Sequence, residues 1–136
     1  MGAILRSAEV FGAGAVIGTK HHSAPETGAL AKAASGALER QPYIRVRNLA
    51  DTILELKKMG FIVLGLDAEV SSDIASAARL YADRPIALVL GAEGPGLRSR
   101  TKEVVDDLVR IKPMSSFGSL NVSNAAAIGL YTITAV

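Results

Sequence analysis

Five short runs of apolar or β-prone residues punctuate this chain, and the stretches between them carry apolar residues at helical spacing. The runs Ala15-Val16-Ile17-Gly18, Tyr43-Ile44-Arg45-Val46, Phe61 to Leu66, Ile86 to Leu90 and Val109 to Ile111 read as extended segments. Gly2 to Phe11 places Ile4, Leu5, Ala8 and Phe11 on a helical period, and Pro25 to Leu38 is alanine-rich and helix-prone despite Gly28 and Gly36. Asn48 to Met59 aligns Leu49, Ile53 and Leu56, with Gly60 as its stop. Ser72 to Tyr81 aligns Ile74, Ala77, Ala78 and Tyr81. Thr101 to Leu108 predicts a charged helix capped by Thr101, and Ser123 to Val136 a mostly buried, alanine-rich helix. Strand alternating with helix in this way leaves few architectures: an α/β fold with a mostly parallel sheet flanked by helices on both faces. Ligands in such folds sit beyond the carboxyl ends of the strands, which directs attention to two loops, Gly91 to Arg100 and Lys112 to Asn121.

Composition narrows the function classes. The 136 residues, 49% of them hydrophobic, suit one domain spanning 1–136, with no internal repeat or linker. The absence of cysteine excludes disulfides, thiolate nucleophiles and zinc–thiolate sites. No apolar run approaches the roughly 20 residues of a membrane span, and the opening residues lack a signal-peptide core, so a soluble cytoplasmic protein is expected. A net charge of +2 says little, but the grouping of Arg98, Arg100 and Lys102, of Arg110 and Lys112, and of Lys20 with His21 and His22 suits either a solvated surface or an anionic partner.

The first loop reads Gly91-Ala92-Glu93-Gly94-Pro95-Gly96-Leu97, a tight glycine-rich turn able to bring backbone amides and carbonyls to a ligand. It matches neither the Gly-x-Gly-x-x-Gly dinucleotide fingerprint nor a nucleotide-triphosphate loop, which argues against a metabolic dinucleotide enzyme. The second runs Pro113-Met114-Ser115-Ser116-Phe117-Gly118-Ser119-Leu120-Asn121-Val122-Ser123-Asn124-Ala125-Ala126-Ala127-Ile128. Ser123 or Asn124 could cap the helix that follows, and its alanines permit close backbone approach, as a dimer face or a chain threaded through its own loop would require.

Together Gly2-Ala3-Ile4-Leu5-Arg6-Ser7-Ala8-Glu9-Val10-Phe11-Gly12-Ala13, Gly91 to Leu97 and Ser119 to Ile128 resemble the three motifs of the SPOUT superfamily, most closely its tRNA/rRNA ribose 2′-O-methyltransferases. Lys32-Ala33-Ala34-Ser35-Gly36-Ala37-Leu38-Glu39 resembles the branch that modifies a guanosine of 23S rRNA. The resemblance covers nearly the whole chain and implies a C-terminal deep trefoil knot, a homodimer, and transfer of a methyl group from S-adenosylmethionine to a ribose 2′-hydroxyl of structured RNA. The family's Asp-Pro-x-Asn-like opening and first sheet strand have no counterpart ahead of Gly2, so the domain is expected to be N-terminally incomplete and to lack that strand.

By resemblance, Gly91, Gly96, Ile111, Met114 and Leu120 would hold the cofactor, and Arg6, Glu93, Asn121 and Ser123 would form the catalytic set. An arginine rarely gives up its proton, so Arg6 suits electrostatic work: holding phosphate, orienting the ribose and favouring the developing 2′-oxyanion, unless it is a surface residue paired with Glu9. Glu93 would orient Arg6 or a ribose hydroxyl, or cap local amides. No metal is required, since the sulfonium methyl is already electrophilic, and His21-His22 lacks a neighbouring carboxylate at useful spacing. The alternatives are the same reaction on transfer RNA, and a non-catalytic dimeric RNA-binding or assembly domain.

Overall fold

The computed structural model describes residues 2–19, 42–91, 96–113 and 120–135. The expected helix from Pro25 to Leu38, the segment Lys32 to Glu39 and the pair His21-His22 lie outside the described residues. The chain groups into two compact units, Met1–Leu49 and Ala50–Val136.

In the first unit, helix α1 (Gly2–Val10) buries Gly2, Leu5 and Ala8, spaced three apart, and turns Arg6 outward. It ends in a Schellman turn: Gly12 adopts φ +72°, its amide donates to the Glu9 carbonyl at 3.3 Å, and Ala13 N–H donates to Ala8 at 2.9 Å. Strands β1 (Val16–Thr19) and β2 (Tyr43–Val46) then pair in parallel, Val16 opposite Tyr43 and Thr19 opposite Val46.

Helix α2 (Leu49–Lys58) leads into the second unit and is stopped by Gly60 as its sequence predicts. Gly60 takes φ +97°, while Phe61 N–H reaches the Leu56 carbonyl at 3.0 Å and Gly60 N–H that of Lys57 at 3.0 Å. Next come β3 (Ile62–Leu66), α3 (Ile74–Leu80), β4 (Ile86–Val89), α4 (Ser99–Val104), β5 (Asp107–Val109) and α5 (Val122–Thr134). The three strands form a parallel sheet ordered β4-β3-β5, and every pairing among the described residues is parallel. β3 lies between both neighbours and is buried on both faces, which is why its sequence is apolar without alternation. One face carries Ile62, Leu64 and Val109, packed with Ile74 and Ala77 of α3 and with Ile133 of α5. On the other side Gly65 lies against Leu97, Val105 and Leu108, and Lys57 of α2 donates to the Val104 carbonyl at 3.0 Å. Asp73 caps α3 by accepting from Ala75 N–H.

Three local expectations need correction. The charged helix runs Ser99–Val104, not Thr101 to Leu108; Thr101 is a buried residue inside it, and Arg98 occupies the cap position without a side-chain cap bond. The early stop has a cause: Asp106 accepts Val63 N–H at 2.7 Å and donates its own amide to the Val63 carbonyl at 2.8 Å, pulling the chain into register with β3. At the last helix neither Ser123 nor Asn124 is the cap, because Asn121 is, its Oδ1 accepting Asn124 N–H at 2.9 Å. That helix is also half-covered, not mostly buried: Ala126 and Gly129 are buried, but Ile128 is 39% and Tyr131 60% exposed. The close approach expected of its alanines falls at Gly129, where an added Cβ would stand 2.6 Å from Leu88 Cδ2.

Candidate functional site

The second unit's parallel sheet turns the carboxyl ends of β4, β3 and β5 the same way, so Gly91, Asp67 and Ile111 follow three adjoining strand ends. That edge is the usual ligand position in such folds.

Gly91 and Gly96 are brought together. A Cβ on Gly91 would lie 2.2 Å from the Gly96 carbonyl carbon and 2.5 Å from the Leu97 nitrogen, so the returning loop packs backbone to backbone on a position only glycine can fill. Gly96 itself has open space around it and is held at φ +71°, a conformational rather than a steric need for glycine. Leu97 then inserts beside Gly65, where an added Cβ would come within 2.9 Å of Leu97 Cδ1. Gly65 and Leu97 are thus structural determinants of the loop that sequence reading missed; the glycine inside an otherwise branched apolar strand was the available signal.

Ile111, half-buried after β5, packs on the Ile62–Leu64 cluster together with Leu66 and Leu88. Beside it Arg110 bridges the segment after β3: its amide donates to Ser72 O at 2.8 Å and its carbonyl accepts Ile74 N–H at 2.9 Å. Arg110 Nε is buried and has no hydrogen-bond partner among the described residues. Leu120 is 47% exposed immediately before the Asn121 cap, and Ser123 is half-buried in the first turn of α5. Arg6 is exposed on α1 in the first unit. Glu93 and Met114 lie outside the described residues.

A second interaction missed in the sequence is made by Asp67. Its amide donates to Val109 O at 2.9 Å, its Oδ1 accepts Glu69 N–H at 2.9 Å and its Oδ2 lies 3.5 Å from Lys102 Nζ. Among the described residues no three histidine or carboxylate side chains gather as a metal site, and no helix is long and apolar enough to cross a membrane.

The SpoU rRNA Methylase family matches residues 1–131. The 23S rRNA (guanosine-2'-O-)-methyltransferase RlmB of Ralstonia nicotianae is 46% identical over 131 residues, 96% of this chain and 51% of that protein. The protein of the same name from Vibrio vulnificus is 42% identical over 131 residues, 96% of this chain and 52% of its own length. The chain therefore spans about half the length of the curated relatives it matches. In structure it is similar to the SpoU methyltransferase AviRb of Streptomyces viridochromogenes, solved in complex with the cofactor AdoMet. The TM-score is 0.86 at 27% identity, covering 98% of this chain and 51% of that one. A match running through all three motif segments, joined to this sheet order and glycine closure, establishes that the chain belongs to the SpoU rRNA Methylase family.

Proposed function

We propose that residues 1–136 act as one catalytic domain that transfers a methyl group from S-adenosylmethionine to a ribose 2′-hydroxyl of structured RNA, a guanosine of large-subunit ribosomal RNA. The observation that carries this reading is the backbone closure of Gly91 on Gly96–Leu97 at the carboxyl end of β4, in a chain 46% identical to an enzyme named for that reaction. The residues present fit the cofactor's chemistry. Gly91 offers backbone without a side chain, Ile111 and Leu120 offer apolar wall, and the buried, unpartnered Nε of Arg110 offers a donor to an acidic or hydroxyl group nearby. S-adenosylmethionine, when bound, supplies an electrophilic sulfonium methyl.

What this chain contributes is alignment and charge. Gly91, Gly96, Ile111, Met114 and Leu120 would hold S-adenosylmethionine, within a C-terminal trefoil knot. Arg6 grips an RNA phosphate and stabilises the negative charge that develops on the ribose 2′-oxygen. Glu93 and Ser123 orient the ribose. Asn121 uses Oδ1 for the helix cap and keeps its Nδ2 donors for substrate. The exposed Ile128 and Tyr131, on successive turns of α5, offer apolar surface for a homodimer, which would act in the cytoplasm and read RNA through its combined basic surface.

Calorimetric titration of S-adenosylmethionine into this chain, with Leu120→Arg as the blocked control, tests the pocket. Saturable binding abolished by the substitution is expected. Methylation of 23S rRNA transcripts, with transfer RNA transcripts in parallel and nucleoside mass spectrometry as readout, then tests the substrate. Ribosomal transcripts left unmodified while transfer RNA is methylated would overturn the assignment, and a monomeric mass at every concentration would overturn the dimer.

A further inference from the structure

We infer that Asp67 and Lys102 form a positioning pair that holds Gly96 and Leu97, the downstream end of the glycine-rich loop, against Gly91 for ligand binding. The inference rests on the S-adenosylmethionine reading above. Helix α4, which directly follows that loop, spans only six residues and has no side-chain cap bond at Arg98, so its local hydrogen bonds alone cannot fix it. Its position must come from tertiary anchors, and two reach the carboxyl end of β3. Leu97 wedges against Gly65 at the loop's downstream end, and Lys102, in the last turn of α4, meets Asp67 two residues beyond Gly65.

Asp67 is built for the purpose. One carboxylate oxygen is committed to its own turn through Glu69 N–H at 2.9 Å, and the other faces Lys102 Nζ at 3.5 Å. Its backbone amide is tied to Val109 of β5 at 2.9 Å. A single residue therefore links the ends of β3 and β5 to the helix that closes the loop after β4. Its side chain is only 12% exposed while that of Lys102 is 42% exposed, so the pair is partly shielded from solvent. The sequence groups Lys102 with Arg98 and Arg100 as one basic cluster; the structure separates it, since Arg100 pairs with Glu103 on an exposed face. Lys102 thus serves the cofactor loop and not the RNA phosphates.

Asp67→Asn keeps the acceptor for Glu69 and removes the charge facing Lys102, and Lys102→Met keeps the aliphatic stem and removes the ammonium. In calorimetry each variant of this chain is expected to weaken S-adenosylmethionine binding by about three- to fivefold, the scale of a largely surface ion pair. The double variant is expected to be no weaker than either single one. In methyl transfer the KM for the cofactor rises by the same factor while kcat at saturation and RNA retention stay unchanged. In the cofactor-free chain the amides of Lys102 and Val105 exchange several-fold faster. Should Asp67→Asn fail to fold, Lys102→Met carries the test alone. Unchanged affinity and exchange in Lys102→Met, multiplicative losses in the double variant, or lost RNA binding with intact cofactor affinity would each overturn the inference. If the unsubstituted chain binds no cofactor, the methyl-donor reading fails and takes the pair's proposed role with it; normal binding in both chains refutes the pair alone.

Discussion

Gly91→Ala is the substitution whose effect the structure specifies most closely. The added methyl carbon would stand 2.2 Å from the Gly96 carbonyl carbon, 2.5 Å from Leu97 N and 2.6 Å from Gly96 O, all of them backbone atoms. Ordinary contact begins near 3.4 Å, so the Gly96–Leu97 peptide must withdraw by about 1.2 Å. It cannot do so alone, because Leu97 is wedged beside Gly65. Overpacking of this kind typically destabilises by about 1–3 kcal/mol. At roughly 4 °C per kcal/mol for a domain of this size, the thermal midpoint should fall by about 4–12 °C. On the proposed reading the Gly96–Leu97 peptide belongs to the cofactor site, and a displacement near 1 Å at a positioning element is worth on the order of 100-fold in function. Gly96→Ala is the paired control: its Cβ meets nothing within 4 Å, and only the left-handed backbone, φ +71°, opposes it. It should lose about 1 kcal/mol and bind cofactor far better than Gly91→Ala. Differential scanning calorimetry and cofactor titration on the two variants decide the matter. Equal affinity and stability in Gly91→Ala and the unsubstituted chain would refute the claim that this contact shapes the loop.

Substitutions at three other positions separate stability from chemistry. Gly129→Ala gains about 1 kcal/mol of helix propensity but presses on Leu88 Cδ2 at 2.6 Å, a movable side-chain tip. A net loss of no more than about 2 kcal/mol is expected in chemical denaturation, whereas Gly129→Val should lose clearly more. Asn121→Ala removes the Oδ1 bond to Asn124 N–H and should cost about 1 kcal/mol. Asn121→Asp keeps an acceptor for the cap but loses the amide donors, so it should restore the thermal midpoint without restoring methyl transfer. Arg6→Lys preserves charge but not the planar fork; kcat on RNA should fall by about 100-fold or more while calorimetric cofactor affinity stays unchanged, and full activity would remove Arg6 from the mechanism.

Much of what depended on near neighbours was legible in the sequence. The continuous apolar run of β3 marked a strand buried on both faces, and Gly60 marked the end of α2, where it takes the left-handed turn at φ +97°. The loop Gly91 to Leu97 could be singled out because its glycines follow a buried strand, and Gly91 within it by resemblance. What escaped detection depended on partners far along the chain. Thr101 to Leu108 has helical spacing, yet Asp106 finds a better partner at Val63, 43 residues away, and the helix stops early. Asp67 and Lys102 look like ordinary surface charges until the sheet sets them beside each other. The choice of Asn121 over Ser123 and Asn124 as cap is a smaller, local failure, since all three side chains are chemically able and the chain's entry path selects among them.

The placement of β3 between β4 and β5 also dictates an order of assembly. Ile62 meets Ile86, 24 residues on, whereas the Asp106 contact with Val63 closes a span of 43, a loop-closure difference of about 0.5 kcal/mol that favours β4 pairing first. Until β5 arrives, the second edge of the most apolar strand stands open to pairing with another chain. The two hydrogen bonds of Asp106 therefore close an edge that would otherwise be open to aggregation, so a weakened Asp106 should lower the yield of folded chain as well as the stability of the finished sheet.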